Sequence, residues 1–342
     1  MTTHAIKLTS PHELLAVVPY LLGFNPTNSI MVMCLRDHQL GLTQRLDLPP
    51  PDRAPDVASA LLPSLITEKP DAVILIGYED HEGDSLLSLK ALTEALQSHA
   101  MTIHDRIVVR DGRWRSVDCH NPTCCPPEGR PVPEPADVSG VISEFVGRGV
   151  APHSNRESLA RQVEAGPQAA AVSKVMRSRE KAGGCPPVPR HELFAAWPRI
   201  LNSDAPIISV EDAAMAAMSL TDIEIRDGLV AWLCPGTLDL DELSQEIQNL
   251  LSGLQKDSGD THIDPASTGA QNGLQDRLIG LCAMFPDDLA APALSVLASF
   301  VWWRGDGAMT RVALARALRC NPEYRLAQLL EQMVDLAIRP GR

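Results

Sequence analysis

Between residues 110 and 135 the chain reads RDGRWRSVDCHNPTCCPPEGRPVPEP, and no other stretch restricts the fold as strongly. Six prolines follow Asn121. Proline lacks an amide proton and holds φ near −65°, so neither a long helix nor an inner strand can cross this stretch. Upstream, apolar runs of strand length alternate with runs of helical spacing; downstream, only helical spacing recurs. The pattern predicts a mixed α/β domain over residues 1–135, ending in the Cys/Pro-rich segment, and an all-helical domain over residues 136–342. A length of 342 residues agrees with two domains, because one core stops growing at roughly 250–300 residues.

Within the first domain, Ser10-Pro11-His12-Glu13 combines an N-cap serine, a proline at the first helical position and a glutamate that closes a capping box. Pro19 is expected to kink or divide this helix, and Gly23 to end it. Residues 29–35 and 42–48 read as an antiparallel strand pair, and residues 56–67 have helical spacing despite Pro63. DAVILIGY, residues 71–78, is a continuous β-branched and leucine run and marks a strand buried on both faces. A helix capped by Asp84 or Ser85 follows, and residues 103–110 turn at Asp111-Gly112 into residues 113–117 as a tight hairpin. The domain is therefore expected as a mixed sheet with crossover helices and a β-hairpin.

Beyond residue 135, helical segments fall near 138–146, 154–164, 169–181, 191–201, 210–218, 222–233, 240–254, 275–285, 292–303, 308–318 and 322–338. Residues 257–273, rich in Asp, Ser, Thr and Gly, read as a mobile loop. Val312, Leu314, Leu318, Leu326, Leu329 and Leu330 are expected to supply the buried faces of the last two helices.

The formal net charge is −13, with 11 Lys+Arg against 17 Asp+Glu in residues 1–135 and 19 against 26 in the remainder. Neither half is basic, which argues against a dedicated nucleic-acid binder. The opening MTTHAIKLTS lacks the features of a signal peptide. The longest apolar stretches, 14–24 and 289–303, contain proline and fall short of the about 18 residues that span a bilayer. A cytoplasmic protein is the expectation. In that setting eight cysteines point to thiols, a metal site or a redox pair rather than a disulfide framework.

Four groups of residues could carry chemistry. Cys119, His120, Cys124 and Cys125 offer the thiolate and imidazole ligands that zinc prefers, at nearly the spacing of a zinc knuckle. Cys185, in a second Cys-Pro-Pro tripeptide, is the nearest later thiol that could complete such a site; a redox pair, or free thiols closing the domain junction, are the alternatives. Glu79, Asp80, His81, Glu82 and Asp84 follow the buried strand, where ligands of open α/β sheets gather, and could hold Mg²⁺ or act as a general base. The same residues also suit a solvated loop before a helix N-terminus. In Trp302-Trp303-Arg304-Gly305-Asp306-Gly307, Arg304 and Asp306 flank a turn that could receive an anion with Arg311 or Arg316 nearby, or could simply join two packed helices. Arg45 and Asp47 share one face of their strand, which could border a cleft or face solvent. Phosphate-loop, dinucleotide, nucleophile-elbow and His-Glu-x-x-His motifs are absent.

The residues LGFNPTNS at 22–29, RLDLP at 45–49 and CCPPEG at 124–129 together resemble an actinobacterial family of uncharacterised proteins, the domain of unknown function 4192. Arg226-Asp227, WRGDGA at 303–308 and NPEYRLA at 321–327 extend the resemblance over nearly the whole chain. It implies an actinobacterial cytoplasmic protein and carries over no catalytic or binding residue. The residues and the resemblance lead to a non-catalytic protein that binds a protein partner or a small ligand, able to form oligomers. Its rival is a metal-assisted hydrolase or other enzyme using the acidic loop 79–84 or the cysteine cluster. A third reading is anion or nucleic-acid binding through the C-terminal arginines.

Overall fold

The computed structural model describes residues 10–37, 39–147, 150–181, 188–202, 207–256 and 268–339. The chain divides into two compact units, one reaching Arg156 and including Asp335–Ala337, the other comprising Glu157–Val334 and the residues from Ile338 onward.

The first unit begins with α1 (Pro11–Leu22), where the Glu13 amide donates to the Ser10 hydroxyl at 3.3 Å and Gly23 ends the helix at φ 73°. Pro19 lies inside α1 without dividing it, and the helix runs on to Leu22. The chain continues through β1 (Ser29–Arg36), β2 (Gln39–Asp47), α2 (Asp56–Glu68), β3 (Ala72–Tyr78), α3 (Leu86–Ser98), β4 (Ile103–Arg110), β5 (Arg113–Ser116) and β6 (Arg130–Pro131). These strands form one mixed sheet in the order β2-β1-β3-β4-β5-β6. Only β3 and β4 are parallel neighbours, and α3 supplies the crossover that such a pair requires.

On one face of the sheet Ile30, Val32, Val73, Leu75 and Val108 pack against Val57, Leu61 and Leu65 of α2 and Leu89, Leu92 and Leu96 of α3. Met31, Met33, Ile76 and Ile107 point the other way and are buried as well, which is why residues 71–78 show no polar alternation. Gly77 is needed where β3 meets the start of α3, since a Cβ there would lie 2.2 Å from Ser85 Oγ. Asp111 and Gly112 both take positive φ, 51° and 69°, the signature of the type I′ turn predicted for the β4–β5 hairpin. Strand β6 has no counterpart in the sequence pattern, because two residues, one of them Pro131, are too few to show alternation. After it, α4 (Ser139–Gly147) and the turn before it pack on α1, Ile142 and Val138 meeting Ala16 and Tyr20. His153 then bonds back to the α1 exit, its N–H donating to Gly23 O (2.8 Å) and its carbonyl accepting from Asn25 N–H (2.9 Å).

Helix α5 (Arg156–Ala160) crosses the boundary between the units, and the second unit continues with α6 (Ala169–Lys181), α7 (Arg190–Phe194), α8 (Trp197–Leu201), α9 (Val210–Ser219), α10 (Ile223–Leu233) and α11 (Gln245–Lys256). It closes with α12 (Thr268–Ala283), α13 (Asp287–Arg304), α14 (Gly307–Cys320) and α15 (Arg325–Asp335). A mixed sheet with interleaved helices is thus followed by a helical region, as the sequence predicts. Buried residues surround α13 from Ala290 to Val301, as expected for a helix apolar on all sides. Residues 191–201 form two short helices rather than one, with Pro198 in the first turn of the second. Of the predicted loop, residues 257–267 lie outside the described residues. Residues 268–273 are instead the first turns of α12, held by Arg304, which donates to Gln271 O (3.1 Å) and Asn272 Oδ1 (2.6 Å). Leu329 is exposed, contrary to expectation, and Ala327 and Leu330 carry the buried face of α15.

Candidate metal centre

The turn between β5 and β6 is built by one asparagine and two arginines. The Asn121 carbonyl accepts the amides of Cys124 (3.0 Å) and Cys125 (2.7 Å), and its side-chain oxygen accepts that of Thr123 (3.0 Å). Arg113 donates to the carbonyls of Glu128 (2.8 Å) and Gly129 (2.7 Å), while Arg130 donates to those of Thr123 (2.8 Å) and Cys124. Gly129 has φ 73°, and a Cβ on it would lie 3.0 Å from Trp114 O, so the turn can press against β5 only with glycine there.

This folding brings Cys119, Cys124 and Cys125 together, each sulfur within 4.8 Å of the others. Thiolates bound at about 2.3 Å around a tetrahedral zinc ion stand about 3.8 Å apart, so a contraction of roughly 1 Å would close the site. The Asn121 backbone N–H bonds to the Cys119 sulfur and, with Cys125 beside it, holds that thiol below its usual range. Burial pushes the Cys125 thiol up, against a bond from the Ser116 backbone. Cys119 is therefore the first of the pair to ionise. His120 is exposed and its ring is not one of the grouped ligands. Cys185 lies outside the described residues.

The remaining candidates are occupied by structural bonds to differing extents. Glu79 is buried; its Oε1 accepts from Ser85 N–H (3.0 Å) and Oγ (2.7 Å), and its Oε2 from Gly83 N–H (3.2 Å). Asp84 accepts the His81 amide at 2.8 Å, while Asp80 and the His81 ring face solvent. Arg45 pairs with Asp47, donates to Thr27 O (3.1 Å) and lies over the Phe24 ring at 5.7 Å, holding the loop after α1. Arg304 reaches across to α12, as does Asp306, which caps α14 through Met309 N–H (3.0 Å) and accepts from Gln275 (3.3 Å). Arg316 is 1% exposed and donates to Val163 O, Cys282 O (2.9 Å) and Phe285 O (2.8 Å). Arg113, Arg130 and Asn121 escaped the sequence reading; the Asn-Pro dipeptide signals the turn, but nothing local marks arginines that bond distant carbonyls.

Residues 11–341 match the protein family described as Domain of unknown function (DUF4192). No curated protein and no solved structure matches the chain. No helix among the described residues is long and apolar enough to cross a membrane.

Proposed function

Given that the chain belongs to the DUF4192 family, we propose that it is a non-catalytic binding protein whose first unit holds a soft divalent metal ion, zinc by preference, on a thiolate site. The observation that carries this reading is the convergence of Cys119, Cys124 and Cys125 sulfurs within 4.8 Å. Backbone amides bonded to sulfur stabilise thiolate, the form that binds metal. Three protein thiolates leave a fourth position on a tetrahedral ion, open to water, to an imidazole such as that of His120 or to a partner's ligand. A cytoplasmic, actinobacterial setting belongs to this reading, since thiols stay reduced there. The enzyme alternative has weaker support, because Glu79 and Asp84 in the acidic loop already accept bonds that fold the loop.

Metal analysis tests the proposal. Protein purified under reducing conditions without chelator should carry one equivalent of zinc, and Co²⁺ replacing it should show a thiolate-to-metal charge-transfer band. Each of Cys119→Ser, Cys124→Ser and Cys125→Ser should weaken zinc binding by about two orders of magnitude, judged by competition with a chromophoric chelator. Absence of stoichiometric metal, or equal affinity in the triple serine variant, would remove the proposal.

A further inference from the structure

A second candidate lies at the carboxyl ends of β3 and β4. A cleft of about 280 Å³ opens there, bordered by Thr27, Tyr78, Glu79, Asp80, Arg110 and Asp111. Strand register sets Ser29, Tyr78, Val109 and Trp114 in one row across β1, β3, β4 and β5, on the face opposite α2 and α3. Ser29 Oγ and Trp114 Nε1 are buried without a hydrogen-bond partner. Tyr78 is only 8% exposed and makes no hydrogen bond to the described residues. Burial alone raises its hydroxyl pKa, with no bond contributing. Tyr78 is the member of the row that borders the cleft, and its hydroxyl, unlike Ser29 Oγ and Trp114 Nε1, is not fully enclosed.

The charge around the cleft is one-sided. Arg110 stands 3.6 Å from Glu79, 3.5 Å from Glu82 and 3.7 Å from Asp111, so its guanidinium is already shared among three carboxylates. Asp80 adds a fourth, with no partner among the described residues. A hard divalent ion needs several free carboxylate oxygens, whereas both Glu79 oxygens already accept bonds from Ser85 and Gly83. A nitrogen cation carrying several N–H donors fits better: it requires acceptors spaced around it, not a coordination shell.

We infer that this cleft binds a small organic cation, a primary amine or a guanidine, which hydrogen-bonds the Tyr78 hydroxyl and pairs with Asp80 and Asp111. The test compares four probes on the full chain by calorimetry at low ionic strength: 1,4-diaminobutane, 1,4-butanediol, succinate and MgCl2. The diamine should bind, at least about tenfold more tightly than the diol, and added NaCl should weaken it. Tyr78→Phe should weaken the diamine by about fivefold to tenfold, the effect of one hydrogen bond to a charged group. The double variant of Asp80→Asn and Asp111→Asn, both exposed, should weaken it by about tenfold or more and serves if Tyr78→Phe disturbs the fold. Equal binding of diamine and diol, tighter binding of succinate, displacement of the diamine by equimolar Mg²⁺, failure of every probe, or an unchanged affinity in these variants would each overturn the inference.

Discussion

Cys119 and Cys125 lie within 4.8 Å of each other, yet their thiols are drawn in opposite directions, one by a backbone N–H and the other by burial. Of these two thiols, Cys119 therefore ionises first. Iodoacetamide should alkylate Cys119 before Cys125, with zinc protecting both, as peptide mass spectrometry would read. The sign of the pH effect on metal binding follows from the same pair. Metal displaces thiol protons, so affinity should rise with pH, and the rise should continue until Cys125, the later to ionise, has lost its proton. Chelator competition at stepped pH measures this. Gly129→Ala should lower stability by about 2 kcal/mol, from the left-handed φ and the crowding of Trp114 O, and chemical denaturation would show it. At this scale the sequence made the cysteines visible as ligand types but hid what positions them. Asn121 and Arg130 act through backbone carbonyls, which carry no side-chain signature.

Among elements, legibility tracks the length of the pattern. Strand β3 and the β4–β5 hairpin could be read directly, because an uninterrupted apolar run and an Asp-Gly turn each answer to one local cause. The polar start of α12 and the two-residue β6 could not, since both depend on partners far away in sequence: Arg304 for the first, β5 for the second. Leu329 shows the opposite error, in which helical spacing alone does not reveal how wide the buried stripe of α15 is. Arg316 ties the turn at Val163 and the chain between α12 and α13 to α14 by donating to three carbonyls. Arg316→Leu should cost about 3 kcal/mol in chemical denaturation, because those buried carbonyls would lose their donors. Leu329→Gln, on an exposed position, should change stability by less than about 0.5 kcal/mol in the same measurement.

For the whole molecule, charge sets the field that approaching partners meet. A chain of net charge −13 repels polyanions at long range. Two arginines near the α13–α14 turn are committed to structural bonds, Arg304 to α12 and Arg316 to carbonyls, and Arg319 pairs with Glu164 at 2.6 Å. Duplex DNA should therefore show no retardation with this protein in gel shifts at low salt. A cationic partner or ligand, by contrast, would be drawn in. The division into a sheet-containing and a helical part was readable from where strand patterns stop; which residues close each unit was not, because α4 and His153 return to α1 only in three dimensions.

The brevity of β6 has a consequence for solubility. An unpaired strand edge is a template on which a second chain can add, and open sheets need some means of refusing it. Along β6 the Val132 amide points inward to Gly112 O at 2.7 Å, so the alternation of the backbone turns position 131 outward. Proline stands there and has no N–H to offer. The turn that gathers the thiols therefore also ends the β6 side of the sheet in a margin that offers an added strand no amide at position 131.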